Sequence, residues 1–506
     1  MNTQIHASGT VPGTRRYLRT EEGVWRPEAS SSLLVVLQEP AASENAPRLL
    51  DTLETVGEVH KTFAEFGAFA APARLGSVRE AETGDLLIEL GSVPGTSHPE
   101  AYRIEIGDHT RIIASDARSV LYGLQSLRQL LFYGNGELAY GFIEDEPIVS
   151  ERALHLDIGR KFYSQAWILE RIQEMSELKL NTLQLHFSEN EGFTFESERY
   201  PEVMSANYLT KSQIREIIEE ARRCRITLIP SLDSPGHLGW ALRSRPEWLL
   251  TNKDGEPAKG ALDITNSEAV AFISDLIDEY AELFQGSPYF HIGGDEFIDF
   301  SKFDTYPQLG EYARETLGIE AGTEVDAYVD YLNKIAVMLE NKGFTVRVWN
   351  DGLYRDDLEQ RVELKTSVQV TYWTKWDRNM AAAQTFLDKG HKIVNFNDRY
   401  FYYVLGENAG YYYPSGLEIY NDWHPGLLPQ VEEREPQEWQ VPYPEGLLGA
   451  SFSVWCDHPE AQTVEEVAAG LKRPLRAMAE KCWTGEKRYA DHEAFIEVCR
   501  TVGLKD

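Results

Sequence analysis

From Ala153 onward the chain repeats one alternation eight times: a short β-rich run, then a longer stretch. The runs are ALHLDIG, TLQLHF, TLIPSLD, YFHIGGDE, TVRVWND, VQVTYW, KIVNFN and GASFSVW. Between them lie amphipathic segments such as SQAWILERIQEMSELKL and KSQIREIIEEARRCRI, with apolar residues at helical spacing. Strands separated by helices lie parallel and are joined by right-handed crossovers. Eight such units over roughly 300 residues predict a closed (β/α)8 barrel. A doubly wound open sheet is the alternative, but no glycine-rich phosphate loop follows the first strand.

The 506 residues exceed what one compact domain normally holds. Residues 1–148 read as a smaller α/β domain. Its segments SLLVVLQ, DLLIEL and AYRIEIG alternate like half-buried strands, and DARSVLYGLQSLRQLLF has helical periodicity. EDEPIVSERA is the connector, with a proline that interrupts helix. Residues 149–506 then hold the barrel and C-terminal helices, giving an α/β fold class overall.

The formal net charge of -32 argues against nucleic acid and anionic membrane surfaces as partners and suits a neutral or cationic small-molecule ligand. No apolar run reaches bilayer length, and MNTQIHASGTVPGTRRYLRT lacks a secretory core. Cys224, Cys456, Cys482 and Cys499 form no CxxC pair, so neither a metal cluster nor a disulfide framework is expected. These features predict a cytoplasmic location.

In such a barrel, chemistry sits where strands end and βα loops begin. The run ends carry Asp157 and Arg160, His186 and Glu189, Asp233 and His237, then Asp295 and Glu296. Trp349 and Asp351, Trp373, Tyr400, and Trp455 with Asp457 follow. Carboxylates beside tryptophan faces suit a sugar ring, and paired carboxyl groups suit glycosidic cleavage. Asp295 and Glu296 are adjacent, however, and adjacent side chains of a strand point opposite ways. For both to face a ligand the backbone must kink, which Gly293 and Gly294 permit. The competing reading of the pair leaves Asp295 in the site and Glu296 on a surface lysine.

HIGGDE resembles the H-x-G-G-D-E signature of glycoside hydrolase family 20, the β-N-acetylhexosaminidases. RALHLDIGRKF resembles the family's first barrel strand, ELKLNTLQLHFSENEGF its KxNxLxxHLxDDxG segment, and LIPSLDSPGH its IPExDxPGH segment. DARSVLYGLQSLRQLL is similar to the helix preceding the barrel, so the likeness runs over residues 80–460.

The resemblance implies an exo-acting, retaining hydrolase in which the substrate's own acetamide oxygen attacks the anomeric carbon, forming an oxazolinium. It implies that Asp295 orients the acetamide and stays ionised, and that Glu296 is the acid/base group with a raised pKa. Arg160 is the expected ligand of the sugar hydroxyls, and Trp349, Trp373 and Trp455 the pocket walls. Tyr400 is assigned to the acetamide oxygen, with Tyr402 as the other candidate. His237, backed by Glu189, serves the acid end, Asp233 supports from behind, and no metal or cofactor is expected. Plainer readings compete: an Arg160–Asp157 salt bridge, a helix-capping His237, tryptophans in the barrel core, an internally bonded His291, and a merely packed GYYYPSG loop.

Two departures stand out. HFSEN replaces HLxDD, putting Glu189 where the family has aspartate and leaving the relay behind His237 open. VWCD replaces WxE, so Asp457 is one methylene shorter than the usual glutamate, which resembles the disaccharide-releasing lacto-N-biosidases. A GalNAc preference is a further alternative, and a non-catalytic sugar-binding barrel a weaker one. A metal-dependent hydrolase built on Asp233, His237, His291 and Asp295 is disfavoured because no HxH pair follows the first strand.

Overall fold

The computed structural model describes residues 9–37, 46–430 and 436–504. Eight parallel strands close into a barrel: β1 Glu151–Asp157, β2 Thr182–Ser188, β3 Thr227–Leu232, β4 Tyr289–His291, β5 Thr345–Trp349, β6 Gln369–Tyr372, β7 Ile393–Asn395 and β8 Leu447–Trp455. All eight fall on the predicted runs. Closure comes from β8, which pairs with β7 through Gly449 and Ala450 and with β1 along Gly449–Val454. Buried on both faces, these strands read as nearly continuous apolar runs.

The predicted alternation fails once. Residues 350–368, between β5 and β6, cross over through turns without a helix. Elsewhere the crossovers hold helices such as Gln165–Glu177, Lys211–Arg223, Ser267–Leu283 and Glu324–Glu340. Lys211–Arg223 shows why such segments fold: Thr210 and Gln213 form a reciprocal capping box, and Ile214, Ile217 and Ala221 face the barrel.

β7 is only three residues long, whereas β8 has nine. The chain leaves β7, makes one helical turn over Asp398–Phe401, and resumes as strand Tyr402–Val404 beside the upper half of β8. That ninth strand aligns Val404 with Trp455 and raises the barrel wall at the mouth.

The N-terminal domain is a seven-stranded mixed sheet. In spatial order its strands are Arg16–Trp25, Leu138–Asp145, Tyr102–Ile106, Thr110–Ala114, Leu86–Leu90, Leu33–Leu37 and Arg74–Leu75. Helix Ala117–Tyr133, capped reciprocally by Asp116 and Ser119, packs on it. Arg16–Trp25, Thr110–Ala114, Leu138–Asp145 and helix Ala46–His60 were not expected, and the connector narrows to residues 146–150. The long helix after β8, Val464–Thr484, ties the domains together. Its Trp483 lies in the N-terminal core and donates to Asp145 Oδ1 at 2.9 Å. Among the described residues no helix is long and apolar enough to cross a membrane, and none of the four cysteines forms a disulfide.

Candidate active site

β4 stops at His291, and the backbone then turns sharply. Gly293 and Gly294 have φ of +76° and +94°, and Glu296 itself adopts +43°. A Cβ on Gly293 would stand 2.6 Å from Asp233 Cγ, so both dihedral and space demand glycine there. The Tyr328 phenol donates to Gly294 O, and Glu296 N–H donates to Asp351 Oδ2 at 2.9 Å. This turn brings Asp295 and Glu296 to the same cavity, as the kink argument required. Their environments differ: the Asp295 side chain is 11% exposed, that of Glu296 50%.

The cavity has a volume of about 250 Å³ and opens at the C-terminal ends of the strands. Arg160, Glu189, His237, Asp295, Glu296, Trp349, Trp373, Tyr402, Trp455 and Asp457 all line it. Its apolar wall is a cluster of Trp349, Trp373, Val394, Phe396, Tyr402 and Val404, apart from the main core. Trp373 and Tyr402 lie parallel, their planes 2° apart and centroids 5.7 Å distant. A small apolar group such as an acyl methyl fits against such faces without losing hydrogen bonds.

His237 sits at the centre of the polar side. Its Nδ1 lies 3.0 Å from Glu189 Oε1, and its Nε2 lies 3.3 Å from Asp295 Oδ2 and 3.5 Å from Glu296 Oε2. Burial opposes a charge on this ring, but Glu189 and Asp295 raise it well above the usual histidine range. For Glu189 burial alone would raise the carboxyl, yet His237 and Arg160 hold it well below the ordinary range. Glu189 thus reaches His237 in the position where the family pattern has aspartate. Arg160 binds Glu189 at 2.7 Å, Asp157 at 3.0 Å and Glu191 at 3.2 Å while still facing the cavity. The salt-bridge reading of Arg160 is thus met, and the same side chain lines the cavity.

Tyr400 is a correction. It lies half-buried at the edge of the main core, beside Arg399, and does not line the cavity. The helical turn Asp398–Phe401 separates the two candidates, leaving Tyr400 ahead of the strand and Tyr402 within it. Phe401 goes inward against Trp423, and Tyr402 starts the new strand facing the pocket. The GYYYPSG loop is a second correction. Tyr411 lines the cavity, packs 5.5 Å from Tyr402, and donates to Asp398 Oδ2 at 3.1 Å. From the same loop Ala409 lines the cavity, and Asn408 Nδ2 donates to Asp457 Oδ2 at 3.1 Å. Trp376, 52% exposed, stands at the mouth. Its three-residue spacing from Trp373 was the available signal.

Beneath the cavity Asp233 is buried, and burial followed by Asp295 raises its carboxyl well above the usual range. Asp233, His237 and Asp295 bring possible ligand atoms within 4.8 Å of one another, as do His186, Glu189 and Asp233. At the cluster that includes His237 a cation would compete with a proton on that ring, which Glu189 and Asp295 favour. His291 takes no part: its Nε2 meets Thr371 Oγ1 at 2.8 Å, and its Nδ1 accepts Gly293 N–H at 3.1 Å.

Comparison with known proteins matches residues 150–486 to the glycosyl hydrolase family 20 catalytic domain and residues 29–146 to that family's domain 2. A lacto-N-biosidase of Bifidobacterium bifidum is 27% identical over 396 residues, 77% of this chain and 34% of that protein. A beta-hexosaminidase of Vibrio vulnificus is 24% identical over 367 residues, 60% of this chain and 43% of that one. The chain thus spans less than half the length of these two relatives. In fold it is similar to Flavobacterium johnsoniae chitobiase, with a TM-score of 0.76, 21% identity, and coverage of 98% of this chain and 72% of that one. The β-N-acetylhexosaminidase of Bacteroides fragilis gives 0.73 at 21% identity, covering 98% and 94%. Matched through both its barrel and its N-terminal domain, the chain belongs to glycosyl hydrolase family 20.

Proposed function

We propose that the protein is an exo-acting, retaining β-N-acetylhexosaminidase that removes a terminal 2-acetamido sugar with the substrate's own acetamide as nucleophile. The observation that carries this reading is a single cavity in which the buried Asp295 and the half-exposed Glu296 face Tyr402 and the walls of Trp349, Trp373 and Trp455. That lining offers an acetamide an acceptor for its N–H, a phenol for its oxygen and apolar faces for its methyl, which favours the substrate's own group as nucleophile. The nucleophile then comes from the substrate. Asp295, buried beside the aromatic wall, accepts from the acetamide N–H and balances the charge that grows on the oxazolinium ring. Tyr402 donates to the acetamide oxygen, and the methyl rests on Trp349, Trp373 and Trp455. Glu296, half exposed at the mouth, gives its proton to the departing oxygen. It then takes one from the water that opens the intermediate, so configuration is retained. Arg160 holds ring hydroxyls.

Asp457 favours a second reading, release of a disaccharide or preference for a GalNAc terminus. It is a short acid at the cavity rim, drawn toward Asn408, and one of the relatives is a lacto-N-biosidase. Chromogenic β-glycosides of GlcNAc, GalNAc and lacto-N-biose separate these readings by relative kcat/KM. Glu296→Gln should abolish turnover of a poor leaving group while a thiazoline analogue still binds. Undiminished turnover contradicts the assignment, and no hydrolysis of any of the three glycosides by the native protein contradicts the activity.

A further inference from the structure

Asp351 follows β5, is 1% exposed, and has both carboxylate oxygens engaged. Oδ2 accepts the Glu296 N–H at 2.9 Å, and Oδ1 accepts Trp373 Nε1–H at 3.2 Å. Glu296 is a non-glycine residue with a left-handed backbone, a conformation that persists only where surrounding contacts impose it. One carboxylate therefore fastens the main chain of the proton donor and the ring of a pocket wall. Asp351 and Glu296 also both line a second cavity, of about 330 Å³, beyond the sugar pocket.

We propose that Asp351 is the positioning residue of the acid/base group, fixing Glu296 and Trp373 together and placing a buried negative charge behind the proton that Glu296 donates. The inference rests on the hydrolase reading above. Asp295 and Glu296 face Asp351 from the β4 end, and the Tyr328 phenol faces it from helix Glu324–Glu340. Arg355, itself paired with Asp357 and Asp377, donates to Asp351 O at 3.4 Å. Burial, then repulsion by Asp295, pushes the Asp351 carboxyl up to about 7. When charged, it repels further negative charge at the neighbouring Glu296. Removing it should move the alkaline limb of activity to lower pH.

The test is the pH profile of kcat/KM on a GlcNAc β-glycoside with a poor leaving group, for native protein, Asp351→Asn and Trp373→Phe. Turnover by the native protein first secures the hydrolase reading, whose failure would be visible there and nowhere else. Asp351→Asn should lower kcat/KM by about 10- to 100-fold and shift the alkaline limb down by about 0.5–1 pH unit. A dinitrophenyl glycoside, whose leaving group needs no proton, should lose far less. Trp373→Phe should lower activity and leave the limb in place. If Asp351→Asn does not fold, Asp351→Glu retains the charge and should keep the limb while losing turnover. A folded Asn variant with an unmoved or raised limb, or a Glu variant with a lowered one, overturns the proposal.

Discussion

Replacing Gly293 with alanine tests whether the kink after β4 is what places the two carboxylates. At φ +76° an L residue is strained, and the new methyl would lie 2.6 Å from Asp233 Cγ and 2.8 Å from its Cα. Carbon contacts prefer about 3.5–4.0 Å, so one partner must retreat by about 1 Å. Asp233 is buried at the end of β3 and has little room to do so, which leaves the Gly293–Glu296 turn to shift. Backbone strain and overpacking together should cost about 2–5 kcal/mol. A 1 Å displacement of the reacting groups should cost about 100-fold in kcat/KM. Gly255→Ala is the control: its φ is +81°, but a Cβ there meets nothing within 4 Å. It should carry about 1–2 kcal/mol of strain and leave kinetics unchanged. Steady-state hydrolysis and denaturant unfolding of both variants measure the two effects. A Gly293→Ala protein with activity within about threefold of native would refute the claim, because a displacement of that size cannot be so cheap.

Three further outcomes follow from the geometry. Tyr402→Phe should reduce kcat by about 10- to 1000-fold through loss of one oriented donor, while Tyr400→Phe stays near native, and the reverse order would return the role to Tyr400. Asn408→Ala should free Asp457 and change the ratio of kcat/KM for GlcNAc, GalNAc and disaccharide glycosides, and an unchanged ratio removes the loop from specificity. Stability should decline with rising pH through Glu480, whose buried carboxyl is pushed up to about 7, chiefly by burial. Because the folded state holds that proton more tightly than the unfolded chain, its contribution is complete below about pH 4.5 and lost as pH passes 7. That loss is worth about 3 kcal/mol. Glu480→Gln should flatten the fall in melting temperature between pH 5 and 8 without altering activity, and an equally steep fall would contradict the assignment.

The barrel was legible because each of its strands is buried on both faces and set off by a periodic or polar crossover, a pattern that needs no long-range information. The site was legible to the same depth, since residues at strand ends inherit their position from the strand. Legibility stopped where local backbone departs from its neighbours. Tyr400 and Tyr402 were not separable in sequence because the single helical turn Asp398–Phe401, which parts them, leaves no periodic signal. Tyr411 and Ala409 reach the cavity from a loop that packs on Tyr402 and is held through Asn408 by Asp457, 49 residues further on. Strand Arg16–Trp25 escaped notice because it is a polar edge strand paired with residues more than a hundred positions away.

The proposed reaction turns on the substrate's acetamide acting as the nucleophile. A series of aryl β-glucosaminides bearing acetyl, fluoroacetyl, difluoroacetyl and trifluoroacetyl groups on nitrogen grades the electron density of that carbonyl oxygen while scarcely changing its size. Measured with the native protein, kcat/KM should fall steeply with each added fluorine, and the free amine should not be turned over at all. Equal rates across the series, or ready cleavage of the amine, would mean that a protein group or water attacks the sugar instead.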